Sequence, residues 1–174
     1  MDAGHYHWVV TRDVDGEGDD DLVTQTPEDL VVFERTGPGS FDTIIVRKPQ
    51  EARWTPRTVR VADLDGDGHP EVIGFLSHEN SVVPTTAASV FRMTPPKRGL
   101  GPDGWTIDVI AWGPGAVMNA PQLGSKWDQA DVTDVDGDGD LDIVANNEEW
   151  WINGSGELAS FDDPERAPSS VSVV

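Results

Sequence analysis

The 174-residue sequence has no cysteine, a single tyrosine (Tyr6) and only three lysines, Lys48, Lys97 and Lys126. Without cysteine there is no disulfide and no thiolate nucleophile. That lack does not argue against secretion, because a bound metal ion can staple a chain equally well. No serine stands in a G-x-S-x-G context. No apolar run approaches the roughly 18–20 residues of a helical membrane span. No stretch holds an apolar period of 3.6, so almost no helix is predicted. A signal peptide is not visible, and Met1 followed by DAGHYHW reads as the start of a segment trimmed from a longer chain. Basic residues are scarce: 12 stand against 32 acids, for a net charge of −20. Such a surface repels phosphate backbones, so nucleic acid is not an expected partner. The shortage of lysine also fits a salt-adapted source.

The acids are not spread evenly. DVDGEGDDD begins at Asp13, DLDGDGHPE at Asp63 and DVDGDGDLD at Asp134. Aligned at their first aspartate, the three give one pattern, D-x-D-G-[DE]-G-x-x-[DE]. Position 1 is Asp13, Asp63 or Asp134. Position 3 is Asp15, Asp65 or Asp136, and position 5 is Glu17, Asp67 or Asp138. Position 6 is Gly18, Gly68 or Gly139, and position 9 is Asp21, Glu71 or Asp142. The three copies hold 15 acids, and the rest of the chain has 17 against 12 bases. The acidity is therefore mostly a property of the motifs.

Carboxylates packed this closely repel one another unless a cation sits among them. Alternating acids at positions 1, 3 and 5 converge when the chain curls. Calcium takes about six to eight oxygens in a flexible shell. The backbone carbonyls of Asp19, His69 and Asp140 at position 7, with the acid at position 9, can complete it. Glycine at position 6 allows the turn, having no Cβ to penalise positive φ. Up to three Ca²⁺ ions are expected, the first motif binding most weakly because Glu17 is longer than aspartate and Asp19-Asp20-Asp21 crowd the loop. An acidic Asx-turn with no ion is the alternative. An EF-hand is excluded by position 12, where its bidentate glutamate is replaced by Thr24, Gly74 and Ala145.

The flanks read as strands: TVRVA before the second motif and EVIGFL after it are short and β-branched. Leu30 to Val46 is a hairpin around Thr36–Ser40. Thr58–Ala62, Glu71–Leu76, Ser89–Met93 and Trp105–Ala111 make a second unit. Gln129–Thr133, Asp142–Ala145, WWINGSGELASF and Ser170–Val174 make a third. Four short strands per repeat around a fixed turn is the pattern of a β-propeller. The prediction is an all-β fold of three blades, each of four antiparallel strands, in a single unit over 1–174 with blades near 5–47, 58–112 and 127–174.

On DLDGDGHPEVIG, DVDGDGDLDIVANN and the hairpin VVFERTGPGSF, the chain resembles the FG-GAP/VCBS-type repeats of calcium-binding β-propellers. That resemblance implies a division of ends. The acidic loops join the first and second strands at one end. Ligand residues are expected at the other, in Thr26–Asp29, Ser77–Ala88, Asn146–Glu149, Lys48–Arg57 and Gly113–Asp128. Trp54, Arg57, His78, Trp127, Asn146 and Glu148 are the candidates there. The implied function is an extracellular module binding a glycan or a protein. The alternative is a piece of a calcium-dependent polysaccharide lyase or hydrolase. Three blades fall short of the roughly four to eight of a closed ring. A homo-oligomer or further blades would close it.

Seven tryptophans can serve either as wedges between blades or as stacking platforms for sugar rings. His5 and His7 share a strand face and form a candidate transition-metal pair. His69 falls at position 7, where only its carbonyl matters. No catalytic residue is assigned. Glu28/Asp29 and Glu148/Glu149 are carboxylate pairs outside the motifs but have no visible partner.

Overall fold

A computed structural model describes residues 8–77, 88–112, 122–126, 129–135, 137–152, 158–159 and 170–173. Strands β1 (Val9–Arg12), β2 (Asp21–Gln25), β3 (Asp29–Gly37) and β4 (Ser40–Arg47) form one antiparallel sheet in chain order. β2 and β3 are joined by a Thr26 turn, in which the Thr26 hydroxyl accepts from Asp29 N at 2.9 Å. The expected hairpin is tighter than its sequence suggested. Gly37 pairs with Ser40, so Pro38 and Gly39 alone turn the chain, with Gly39 at φ 72°.

A single turn of 3₁₀ helix, Gln50–Ala52, leads into the second blade. β5 (Thr55–Ala62), β6 (Glu71–Ser77), β7 (Ala88–Thr94) and β8 (Thr106–Trp112) again pair in chain order. The remaining strands are β9 (Gln122–Lys126), β10 (Ala130–Thr133), β11 (Asp142–Ile152), β12 (Leu158–Ala159) and β13 (Ser170–Val173). The fold is all-β, and the described residues contain no α-helix.

The third unit departs from the simple four-strand order. β11 runs through Asn146–Glu149, the segment expected to be a loop, and its two halves have different partners. Asp142–Ala145 pairs with β10, and Val144–Asn147 pairs with β13. Glu148–Trp151 pairs with β9, and Trp151–Ile152 pairs with β12. β9 itself lies in Gly113–Asp128, expected to be a connector, and touches β6 through one bridge, Ser77 to Lys126. Polar side chains do not prevent a strand when the backbone finds partners on both sides.

The blades stack face to face. β5 packs beside β1 on one side and β10 on the other, so the first strands of the three units are neighbours. Between blades one and two lies an apolar layer built from Val23, Leu30, Val32, Ile44 and Val46 against Val59, Val72, Leu76, Phe91 and Met93. Between blades two and three lies a second layer, in which Ile73, Phe75 and Val90 meet Ala130, Ile143 and Ala145. The period-2 alternation of a strand lets β6 serve both: Val72 and Leu76 face one layer, Ile73 and Phe75 the other. Every residue of β6 is buried.

One position in β6 must be glycine for a steric reason. Gly74 pairs directly with Phe91, and a Cβ there would come within 2.1 Å of the Phe91 ring. The flat ring thus takes the volume that a side chain at position 74 would need. Lys48 sits above that ring, its Nζ 5.4 Å from the centroid. It has no exposed surface, and its Nζ donates to Gln25 Oε1 at 3.4 Å. The Gln25 Nε2 donates in turn to the carbonyls of Thr58 and Phe75, tying blade one to blade two. Burial drives the Lys48 pKa down to about 7.

Candidate metal centres at the strand turns

All three motifs close their hairpins in one register. Arg12 pairs with Asp21, Ala62 with Glu71 and Thr133 with Asp142. The residue before position 1 therefore always faces position 9, and positions 1–8 form the turn. Backbone N–H groups hold the carboxylates. The position-1 acid accepts from the position-6 glycine: Gly18 N to Asp13 at 2.9 Å, Gly68 N to Asp63 at 2.9 Å and Gly139 N to Asp134 at 3.1 Å. In the first and third loops it also accepts from the position-4 glycine, at 2.8 Å from Gly16 N and 2.7 Å from Gly137 N. The position-9 acid accepts from the N–H of position 2: Val14 to Asp21 at 3.0 Å, Leu64 to Glu71 at 2.8 Å and Val135 to Asp142 at 2.9 Å.

The glycines explain how the chain curls this tightly. Gly18, Gly68 and Gly139 have φ of 97°, 87° and 101°. The position-4 glycines Gly16, Gly66 and Gly137 are also left-handed, at 78°, 70° and 80°. That second requirement was written in the D-x-D-G-x-G spacing, although the turn argument had used only the first.

Ligand oxygens of Asp13, Asp15 and Asp21 lie within 4.8 Å of one another, as do those of Asp63, Asp65 and Glu71. Positions 1, 3 and 9 are thereby gathered in both loops. Glu17 and Asp67, at position 5, stand outside these groups. Asp67 instead accepts from Lys97 Nζ at 3.0 Å, which lowers its pKa, and from His69 N at 2.9 Å. In the third loop Asp138 accepts from Asp140 N at 2.9 Å, and Asp136 lies outside the described residues. Asp19, His69 and Asp140 lie in the three turns.

The electrostatics are those of crowded acids. Burial raises the Asp15 pKa, and the charges of Asp21 and Glu17 push the same way. Glu71 is raised by burial against the opposing Leu64 N–H, with Asp65 adding to the rise. Glu71 Oε1 and Asp63 Oδ1 are buried and have no hydrogen-bond partner among the described residues. Buried acceptors without a partner are expensive. An all-oxygen donor set with two unpartnered oxygens fits a hard cation.

At the other end of the blades, Trp54 and Arg57 are half-buried at the start of β5. Trp54 packs against the layer between blades one and two, which is the wedge role, and Trp105 does the same. Trp8 by contrast is 50% exposed. Asn146 and Glu148 are strand residues paired with Val171 and Lys126, rather than loop residues. His78, Trp127, His5 and His7 lie outside the described residues.

Residues 13–74 match the FG-GAP-like repeat family. The matched segment, about a third of the chain, is similar to an FG-GAP-like repeat. It contains the first two acidic loops and runs from β2 into β6. No curated protein sequence matches the chain. Among solved structures, one of an Agrocybe aegerita lectin, described by its recognition of non-reducing terminal N-acetylglucosamine, aligns with TM-score 0.52 at 19% identity. The alignment covers 97% of this chain and 42% of the lectin. The likeness is one of fold, and the chain spans less than half of its neighbour's length. The fold also brings together residues that the motif alone did not point to. Glu34 on β3 adds a further acid beside the first loop, and Lys97, between β7 and β8, reaches the second. Only strand pairing could have located them.

Proposed function

We propose that the chain is a calcium-stabilised, glycan-binding propeller module that works outside the cell. The observation that carries the metal part is the repeated hairpin in which positions 1, 3 and 9 converge, with Asp63 Oδ1 and Glu71 Oε1 buried and unpartnered. Calcium supplies the charge those oxygens lack, and millimolar extracellular calcium suits loops this exposed. Support for a glycan ligand comes from the fold shared with a lectin. Trp54, Arg57 and the neighbouring connectors, at the end opposite the acidic loops, are the proposed contact region, with His78, Trp127, Asn146 and Glu148 as further candidates. The three blades form one unit, and further blades or a second copy complete the ring.

A glycan array carrying terminal N-acetylglucosamine among its probes, read with calcium and with chelator, tests the ligand. Calcium-dependent retention of a defined glycan class supports the reading, and no retention on any probe overturns it. A polysaccharide panel run beside it distinguishes the enzymatic alternative: new unsaturated or reducing ends would assign the chain to a lyase or hydrolase instead. Melting with and without excess EDTA tests the metal. Chelation lowers the melting temperature if calcium binds only the folded state.

A further inference from the structure

The first two acidic loops share one register and one motif but differ in their charged neighbours. In the first blade, Asp21 opens β2, and its Oδ1 accepts the N–H of Arg35 on β3 at 2.9 Å. Leu22 pairs with Phe33, so Glu34 is the residue that lies across from Asp21. A further carboxylate is thereby placed near Asp15 and Asp21. Burial and the charges of Asp15, Asp21 and Glu17 raise the Glu34 pKa, as expected of an acid among acids. The two-residue turn at Pro38–Gly39 carries no base, and although Arg12 pairs with Asp21 and Arg35 follows Glu34, neither guanidinium forms an ion pair with the loop's acids among the described residues.

In the second blade the equivalent strand position is Thr94, since Val72 pairs with Met93. The connection from β7 to β8 is longer and carries Lys97, whose ammonium holds Asp67 Oδ2 at 3.0 Å. Arg92 on β7 adds positive charge near Glu71. A cation entering this loop meets an ammonium already paired with the position-5 acid. It must share Asp67 with Lys97 or displace it.

We propose that Glu34 and Lys97, both outside the motif, set the order of cation affinity, making the first loop the tighter site and the second the weaker one. This reverses the order expected from Glu17 and the crowded Asp19–Asp21 run. It rests on the calcium reading given above. The physical basis is the addition of a negative charge beside one site and a competing positive charge at the other. Both effects are exposed enough to be screened by salt.

Calorimetric titration of the full chain with CaCl₂ reads the sites, and Asp15→Asn and Asp65→Asn assign each step to its loop. Asp15→Asn is expected to remove a tighter step than Asp65→Asn does. Lys97→Met tightens the second loop roughly 2- to 5-fold and leaves the first unchanged. Glu34→Gln weakens the first loop by a similar factor and leaves the second unchanged. Raising ionic strength narrows the gap. If Asp65→Asn removes the tighter step, or if Lys97→Met and Glu34→Gln leave both affinities where they were, the proposal fails while calcium binding stands. Absence of any calcium-binding heat, with no calcium retained by the dialysed protein, would overturn the calcium reading and this proposal together. Far-UV circular dichroism of each variant separates loss of a site from loss of the fold.

Discussion

Strand β6 of blade two is buried on both faces and strand β4 of blade one on a single face. In β6 the whole run Glu71–Ser77 is buried. In β4 burial alternates, with Ile44 and Val46 inside and Ile45 55% exposed. Both strands are apolar and β-branched, so composition does not distinguish them. What differs is their place: β6 is an inner strand with an apolar layer on each face, and β4 is the edge strand of its sheet. An inner strand between two layers can use every side chain for packing, and an edge strand with one face open can use every other one.

The largest expected effect compares the two directly. Phe75→Ala opens a cavity in the layer between blades two and three and should cost about 3–5 kcal/mol. Ile45→Ala, on the open face of blade one, should cost less than about 1 kcal/mol. Urea unfolding of both variants measures the gap, and equal losses would mean that the outer face of blade one is as tightly packed as β6.

Lys48 sharpens the comparison at the seam between blades one and two. Its folded pKa of about 7 lies below the ordinary lysine value of 10.5. The unfolded chain therefore binds more protons between those values, and stability rises with pH across that window. Below about pH 7 both states are charged and the full cost of burying the ammonium is felt. Asp29 offsets part of that cost, and Arg53 adds to it. Lys48→Met should raise stability near pH 7 by a few kcal/mol and flatten the rise toward pH 10. A wild-type melting temperature that is level from pH 7 to 10 would remove the argument.

Gly74→Ala should cost about 1–3 kcal/mol, because the new methyl meets the Phe91 ring and the ring has Lys48 above it. Pairing it with Phe91→Leu should restore part of the loss, a coupling read by a double-mutant cycle. The smallest effect belongs to the loops. At Gly68 and Gly139 a Cβ would meet nothing within 4 Å, so only the backbone objects, φ being 87° and 101°. Alanine at either should cost about 1 kcal/mol and weaken calcium at its own loop only. Calorimetry with one site reduced and the others intact is the expected result.

Much of this architecture was legible in the sequence because the motif fixes both its own turn and the strands beside it. Arg12 to Asp21, Ala62 to Glu71 and Thr133 to Asp142 could be aligned from the acids alone. β11 was misread past Ala145 because Asn146-Asn147-Glu148-Glu149 has the composition of a loop. Its strand character comes from partners distant in the chain, β13 and β9, which no local pattern reveals. The surroundings of the sites were hidden for a similar reason. Lys97 is 30 residues from Asp67, and only the pairing of β7 with β6 brings them within 3.0 Å. Lys48 looked like an ordinary connector residue, because a sequence does not show that a neighbouring blade will close over it.

The two-sided cover of β6 also has a consequence in time. Its amides bond to β5 and β7, and both of its faces are roofed, so solvent can reach them only when two seams part together. β4 lies at the margin of its sheet, and its outward amides can meet solvent through local fraying. In deuterated buffer, then, β6 should keep its protons the longest, exchanging at the rate of whole-molecule opening, while β4 empties early. The slow amides would form a single file through the middle blade, a clock that reports when all the blades let go at once.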